Sequence, residues 1–270
     1  MYRSFSLMVG MALVAAHAAT ASAAEVSFSP RLSAGLSYYQ LDLDGAIVVG
    51  DDSVDDIEFS DLLYFVGGGL TLTYRRYFVD VYGQYSFAGE DELDLDIVAG
   101  GAAIDDLAQD FEFDRIETAL TLGYRVTDQF ATFVGFRYAD VTFDGSGSIG
   151  AIASDFSTDF NQKGPFVGAS YVVPKTVLDG TVVVNGAVAY LFGDLDNTFE
   201  SNVLANDLNV DVNGRAIGVN VGASWVKPLT EDVNLSIGTD LSRYDFDDDD
   251  GQSDFDELIA RLRTELRFSF

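Results

Sequence analysis

The chain has no cysteine among its 270 residues. That excludes disulfides, thiol nucleophiles and cysteine-based zinc sites. Histidine is almost as scarce, with a single one, His17. Basic residues number 15 against 44 acidic ones, and the net charge is −29 at pH 7. A molecule this negative repels a phosphate backbone, which argues against nucleic acid as a partner. After the first two dozen residues no run reaches about 18 consecutive apolar positions, so membrane-spanning helices are excluded as well.

Those first residues read MYRSFSLMVGMALVAAHAATASAA. Arg3 precedes an apolar run, and small residues follow at Ala21-Ser22-Ala23-Ala24, the layout of an export signal that is cleaved. The expected organisation is therefore a cleaved signal peptide over 1–24 and one β-barrel domain over 25–270. Cleavage removes Arg3 and His17, so the exported chain has no histidine and is one unit more negative.

What the chain has in abundance is hydrophobic residues, 48%, and glycine, 26 residues. Beyond residue 30 they alternate with polar or small ones at period two, the pattern of half-buried strands. Leu32, Ala34, Leu36 and Tyr38 share one face, against Ser33, Gly35 and Ser37. Leu62, Tyr64, Val66, Gly68, Leu70, Leu72 and Tyr74 continue the theme, then Tyr77, Val79, Val81, Gly83, Tyr85 and Phe87. Further runs cover Ile116 to Val126, Phe130 to Tyr138, Phe166 to Val173 and Val182 to Phe192. The last are Ile217 to Trp225, Val233 to Leu241 and Leu258 to Phe270. This predicts ten strands, with eight or twelve as alternatives, each long enough to cross a bilayer at a tilt.

The connections sort into two kinds. Arg75-Arg76, Thr127 to Gln129, Pro174 to Gly180 and Lys227 to Asp232 are short. Asp44 to Asp61, Gly89 to Asp110, Asp144 to Gln162, Gly193 to Asn213 and Phe246 to Phe255 are long and acidic. Short turns at one end and long loops at the other predict a single antiparallel transmembrane β-barrel rather than a soluble sandwich. Closure pairs every backbone group, the condition for strands to lie in lipid.

The C-terminal stretch DELIARLRTELRFSF is locally ambiguous, because Leu258, Ile259, Leu262 and Leu266 also recur at helical spacing. The other nine period-two segments favour a strand. Arg261, Arg263, Glu265 and Arg267 then face the lumen, and Leu262, Leu266, Phe268 and Phe270 face outward. A charge near the lipid midplane costs ~2–4 kcal/mol, which supports that assignment. A terminal strand ending in phenylalanine, with the alternating layout before it, resembles the small bacterial outer-membrane β-barrels of the broad OmpA-like and opacity-type porin superfamily. The resemblance implies a Gram-negative outer-membrane location. It also implies lipid and lipopolysaccharide as surroundings, and recognition of Leu262, Leu266, Phe268 and Phe270 by the barrel-assembly machinery.

Candidate site residues follow from parity. Asp80, Arg115, Glu117, Arg125, Arg137, Asp240, Glu257, Arg261, Arg263, Glu265 and Arg267 are expected to form Arg–carboxylate pairs across the lumen, favoured by bidentate geometry. Asp248, Asp250 and Glu257 match part of an EF-hand loop, but Phe246 stands at its first position. They are a weak metal candidate, and low-affinity Ca²⁺ or Mg²⁺ at the acidic loops is the only cofactor expected. Barrel enzymes of the phospholipase, lipid A deacylase and omptin types depend on histidine, so a non-enzyme is expected. The leading functional expectation is a small porin-like protein with a narrow pore, cation-preferring because of its acidic loops. The alternative is a non-conducting barrel with a plugged lumen, whose acidic loops bind a partner, lipopolysaccharide or divalent cations.

Overall fold

The ten expected strands are present, and most run well past the apolar stretch that announced them. The computed structural model describes residues 26–49, 52–87, 91–99, 102–149, 152–201, 208–248 and 254–270. The elements are β1 (Val26–Val49), β2 (Asp52–Tyr74), β3 (Tyr77–Phe87), β4 (Asp91–Ala99), β5 (Ala102–Arg125) and β6 (Phe130–Ile149). They continue with β7 (Ile152–Val177), β8 (Gly180–Ser201), β9 (Leu208–Pro228), β10 (Val233–Asp248) and β11 (Asp254–Phe268). The signal segment 1–24 lies outside the described residues.

Each strand pairs antiparallel with its neighbours, and β1 pairs with both β2 and β11, so the sheet closes. β3 and β4 occupy one position in the wall. Phe87 of β3 lies opposite Asp114 of β5, and Asp91 of β4 lies opposite Phe111 of the same strand. The result is a ten-position barrel. At the seam Phe270 N–H donates to Phe28 C=O at 3.0 Å, and Phe28 N–H returns a bond to Phe270 C=O at 3.3 Å.

One end is closed by tight turns. Leu178 and Asp179 both have positive φ, 50° and 60°, the backbone of a primed hairpin turn that matches strand twist. It is narrower than the connection expected at Pro174 to Gly180, because β7 continues through a register shift between Val172 and Thr176. At the other end the segments read as long loops mostly continue the ladder. β1 pairs β2 as far as Val49 opposite Asp52, and β6 pairs β7 as far as Ile149 opposite Ile152.

The strands extend because the alternation changes parity partway along the barrel. On β6, Val134 and Phe136 point out and Arg137 points in; farther along, Asp140 and Asp144 lie outside, while Val141 and Phe143 are buried within. β8 repeats this. Val188, Tyr190 and Phe192 are exposed, then Asp194 and Asp196 take over that face while Leu191 and Leu195 turn inward. β10 does the same, with Ile237 and Leu241 outside, then Arg243, Asp245 and Asp247, against buried Tyr244 and Phe246. No residue is inserted at these changes. The side chains keep strict alternation, and only the chemistry of the two faces is exchanged.

The barrel therefore has two halves with opposite solvents. Near the turns an apolar outer face suited to hydrocarbon surrounds a polar lumen. Beyond it a polar outer face surrounds an apolar core, as in a water-soluble barrel. β5 has 24 residues; at ~3.3 Å per residue and a tilt near 40° it rises roughly 60 Å, about twice a ~30 Å hydrocarbon layer.

Candidate functional site: the lumen

Three layers fill the interior. The far half holds the hydrophobic core. Tyr39 and Leu41 (β1), Leu63 (β2), Phe113 (β5), Val141 and Phe143 (β6), Phe160 (β7), Leu191 and Leu195 (β8), Ala216 (β9), Phe246 (β10) and Ile259 (β11) are all no more than 3% exposed. Phe113 stands edge-on to Phe143 at 4.9 Å between centroids, and Phe160 edge-on to Phe246 at 5.4 Å, both favoured aromatic geometries. Contributions from so many wall positions carry this layer across the whole lumen.

Beneath it lies a layer of charge. Arg115 is 1% exposed and Glu257 0%. They are hydrogen-bonded to each other, and the Gln162 amide donates to both Glu257 oxygens at 2.9 Å. Glu117 collects three arginines at its Oε2: Arg261 at 2.5 Å, Arg137 at 3.5 Å and Arg115 at 3.6 Å. Arg261 also reaches Asp240 at 3.3 Å. Two arginines pack against tyrosine faces, Arg115 on Tyr39 at 5.2 Å and Arg137 on Tyr244 at 4.5 Å. Such stacking suits guanidinium, which is weakly hydrated and planar.

Nearer the turns the network spreads along the wall. Arg31 holds Asp80 in a two-pronged grip of 2.5 and 2.7 Å and approaches Glu265 at 3.4 Å. Arg267 donates to Glu265 at 2.9 Å. Gly69 lies opposite Arg31 in register, and a β-carbon there would stand 2.5 Å from the Val81 carbonyl and 3.0 Å from the Arg31 guanidinium. The glycine is therefore required by close approach of its neighbours rather than by its own backbone conformation.

Below the charge layer a cavity of about 590 Å³ opens at the turn end, where Thr127, Asp128 and Gln129 line its mouth. Phe133 (β6) and Phe166 (β7) lie on one side, Arg31 (β1), Arg263 and Arg267 (β11) on the other, and Phe78 and Asp80 on β3 between them.

Of the residues singled out in the sequence, Asp80, Arg115, Glu117, Arg137, Asp240, Glu257, Arg261, Glu265 and Arg267 all make ion pairs in the lumen. Arg125 and Arg263 line the cavity, and neither has a carboxylate within ion-pair distance among the described residues. Glu257, grouped by sequence with a weak metal candidate, has its oxygens on Arg115 and Gln162 inside the lumen. Asp250 lies outside the described residues, and Asp248 is described only as a backbone partner of Gly214. Leu262 and Leu266 point outward on β11, Phe268 pairs with Val233, and Phe270 is 72% exposed beside the seam. Arg31, Gln162, Tyr39 and Tyr244 were not anticipated. Arg31 opens its strand's alternation on the same face as Ser33, Gly35 and Ser37, so parity alone could have placed it in the lumen. The other three belong to the half in which parity is exchanged.

Beyond the apolar outer face the outer wall is acidic. Asp159 of β7 lies directly opposite Asp196 of β8, and Asp140 of β6 opposite Asn161. Arg243 is flanked by Asp245 and Asp256, each at 2.7 Å. Its hydrogen bond holds Asp245 below the usual carboxylate range, whereas partial burial, and then Asp245 itself, raise Asp256. Among the described residues no group of three or more histidine, cysteine or acidic side chains is placed to hold a metal ion.

No protein-family model matches the chain, and no curated protein matches it in sequence. Solved structures do share its fold. The outer membrane protease OmpT from Escherichia coli superposes with a TM-score of 0.63 at 11% identity, over 90% of this chain and 97% of that one. The translocator domain of the autotransporter NalP from Neisseria meningitidis gives a TM-score of 0.52 at 12% identity, over 93% and 90%. The fold is that of an outer-membrane β-barrel.

Proposed function

We propose that this protein resides in a bacterial outer membrane as a sealed, non-conducting barrel, and that it acts through the acidic wall it holds above the lipid. The observation that carries the reading is the continuous buried layer from Tyr39 to Ile259, in which the named side chains are no more than 3% exposed. It lies across the path an ion would take, directly above a layer of paired arginines and carboxylates. Barrels of about eight strands are filled by side chains, and this ten-position barrel is blocked by two successive layers above its cavity. The narrow cation-preferring pore is less well supported. The part of the lumen open to water is lined by six arginines and five carboxylates, the wrong sign for attracting cations.

The exposed apolar belt, including Leu62, Val66, Val134, Val188 and Ile237, fits hydrocarbon, and the short turns fit the periplasmic side. The acidic wall above it suits divalent cations bridging to the phosphates of lipopolysaccharide, because hard oxygen ligands favour Ca²⁺ and Mg²⁺. OmpT is a protease by name, but the likeness at this identity concerns fold. This chain's only histidine is His17, in the segment read as a signal, so the protein is taken as non-catalytic. The test is planar-bilayer recording of the refolded protein, with folding verified by heat-modifiable gel mobility. A silent membrane is expected. Discrete, cation-selective conductance steps overturn the reading.

A further inference from the structure

We propose that the turn-side cavity is a binding site for a small carboxylate with an apolar, preferably aromatic, body, and that Arg263 is its counter-ion. Nothing in the sealed-barrel reading requires such a site; only the direction of entry, from the turn end, rests on it.

Size is the first argument. At about 590 Å³ the cavity falls within the ~300–1,000 Å³ typical of small-molecule sites. Its lining is the second. One wall is aromatic, with Phe133 edge-on to Phe166 at 6.2 Å between centroids and Phe78 nearby. The opposite wall, built from β1 and β11, is charged, and β3 between the two carries both Phe78 and Asp80. A ligand apolar at one end and ionic at the other meets complementary surface at both.

Charge decides the sign of that ligand. Arg31 engages Asp80, Arg261 engages Glu117 and Asp240, and Arg267 engages Glu265. Arg263 and Arg125 have no such partner among the described residues, although both line the same space; Arg125 is exposed at the turn end, whereas Arg263 is partly buried. Its cross-strand neighbours are Gly35 and Gly238, which carry no side chain to neutralise or cover the guanidinium. In the roof, Nε of Arg137, a residue 7% exposed, and Nε of Arg261 have no hydrogen-bond acceptor among the described residues. With six arginines to five carboxylates in the lining, the cavity is one positive charge in excess, inside a chain of net charge −29. An unpaired, partly buried guanidinium such as that of Arg263 is matched by one carboxylate, which it binds through two parallel hydrogen bonds. A phosphate dianion overfills that charge.

The test is titration calorimetry on the full exported chain in lipid nanodiscs, with empty nanodiscs as the blank for partitioning. The probes are benzoate, its neutral isostere benzamide, and acetate. Benzoate is expected to bind at least tenfold more tightly than either, and to weaken as chloride is raised. The Arg263→Gln variant is expected to weaken benzoate at least tenfold and leave benzamide unchanged. Arg243→Gln, outside the cavity, is expected to change neither. Equal binding of benzoate and benzamide overturns the counter-ion, and equal binding of benzoate and acetate overturns the aromatic wall. Heat absent for all three probes overturns the site. The wild-type comparison stands alone if Arg263→Gln does not refold. Conductance is a separate readout, so a leaky barrel that binds benzoate refutes the seal and not the site.

Discussion

Glu257→Leu is expected to be among the most damaging single changes in the protein, and its rescue is the informative part. The carboxylate is 0% exposed and Arg115 1%, so neither group is compensated by water once the other is removed. Glu257 accepts from Arg115 and twice from Gln162, at 2.9 Å each from the amide. Glu117, at 3.6 Å from Arg115, is already shared with Arg137 and Arg261 and does not replace it. Leaving one partner of a buried pair unmatched costs about 3–5 kcal/mol, which at 1.36 kcal/mol per decade shifts the unfolding equilibrium roughly 10²- to 10⁴-fold. Arg115→Met alone is expected to do comparable damage by stranding Glu257. The double variant is the discriminating case. With both charges gone, the two apolar replacements join an apolar layer that begins immediately above, and stability is expected to return to within about 1 kcal/mol of the wild type. Equilibrium urea unfolding in lipid vesicles, followed by intrinsic fluorescence, measures all four proteins. Single variants losing less than about 1 kcal/mol, or a double variant losing the sum of the two singles, rule out a buried pair whose members depend on each other.

Phe143→Ala is expected to cost about 3–5 kcal/mol in the same assay, as a truncation in a water-soluble core does, although the residue belongs to a membrane barrel. Val134→Arg places a charge on the apolar belt and is expected to cost about 2–4 kcal/mol and reduce insertion into vesicles. Asp144→Arg, farther along the same outward face, is expected to stay within about 0.5 kcal/mol of the wild type. Gly218→Val directs a side chain into the Tyr244 ring; a loss of about 1–3 kcal/mol in urea unfolding is expected, since the ring also packs under Arg137.

The lipid-facing half was legible in the sequence because one solvent signature ran through it. Val182 to Phe192 and Val233 to Leu241 each show apolar residues at alternate positions, and the structure gives both as strand. The far half was hidden for a physical reason. Beyond Tyr138 the outward face becomes Asp140, Thr142 and Asp144, so a search for apolar residues at even positions finds the strand ending. The ladder in fact continues to Ile149, with Val141 and Phe143 at odd positions carrying the burial. The same exchange disguised Tyr39 and Gln162, which sit at inward positions where polar lumen residues had been expected to end. Parity alone placed Arg115, Glu117, Arg261 and Glu265 inward, because a charged side chain on a lipid face is too costly to be ambiguous. Which arginine meets which carboxylate was not legible, because it depends on barrel diameter and stagger rather than on any one strand.

The two-solvent barrel stands or falls on the exchange of faces along a single strand, and a label scan along β6 reads that exchange residue by residue. The chain has no cysteine, so single-cysteine spin labels from 132 to 146 report one site each. Oxygen accessibility is expected at 134 and 136, accessibility to a water-soluble nickel relaxant at 140, 142 and 144, and protection from both at 141 and 143. Nickel access at 141 and 143 means an open lumen, and oxygen access at 140 and 144 means lipid along the whole strand. Either result contradicts the two-solvent barrel.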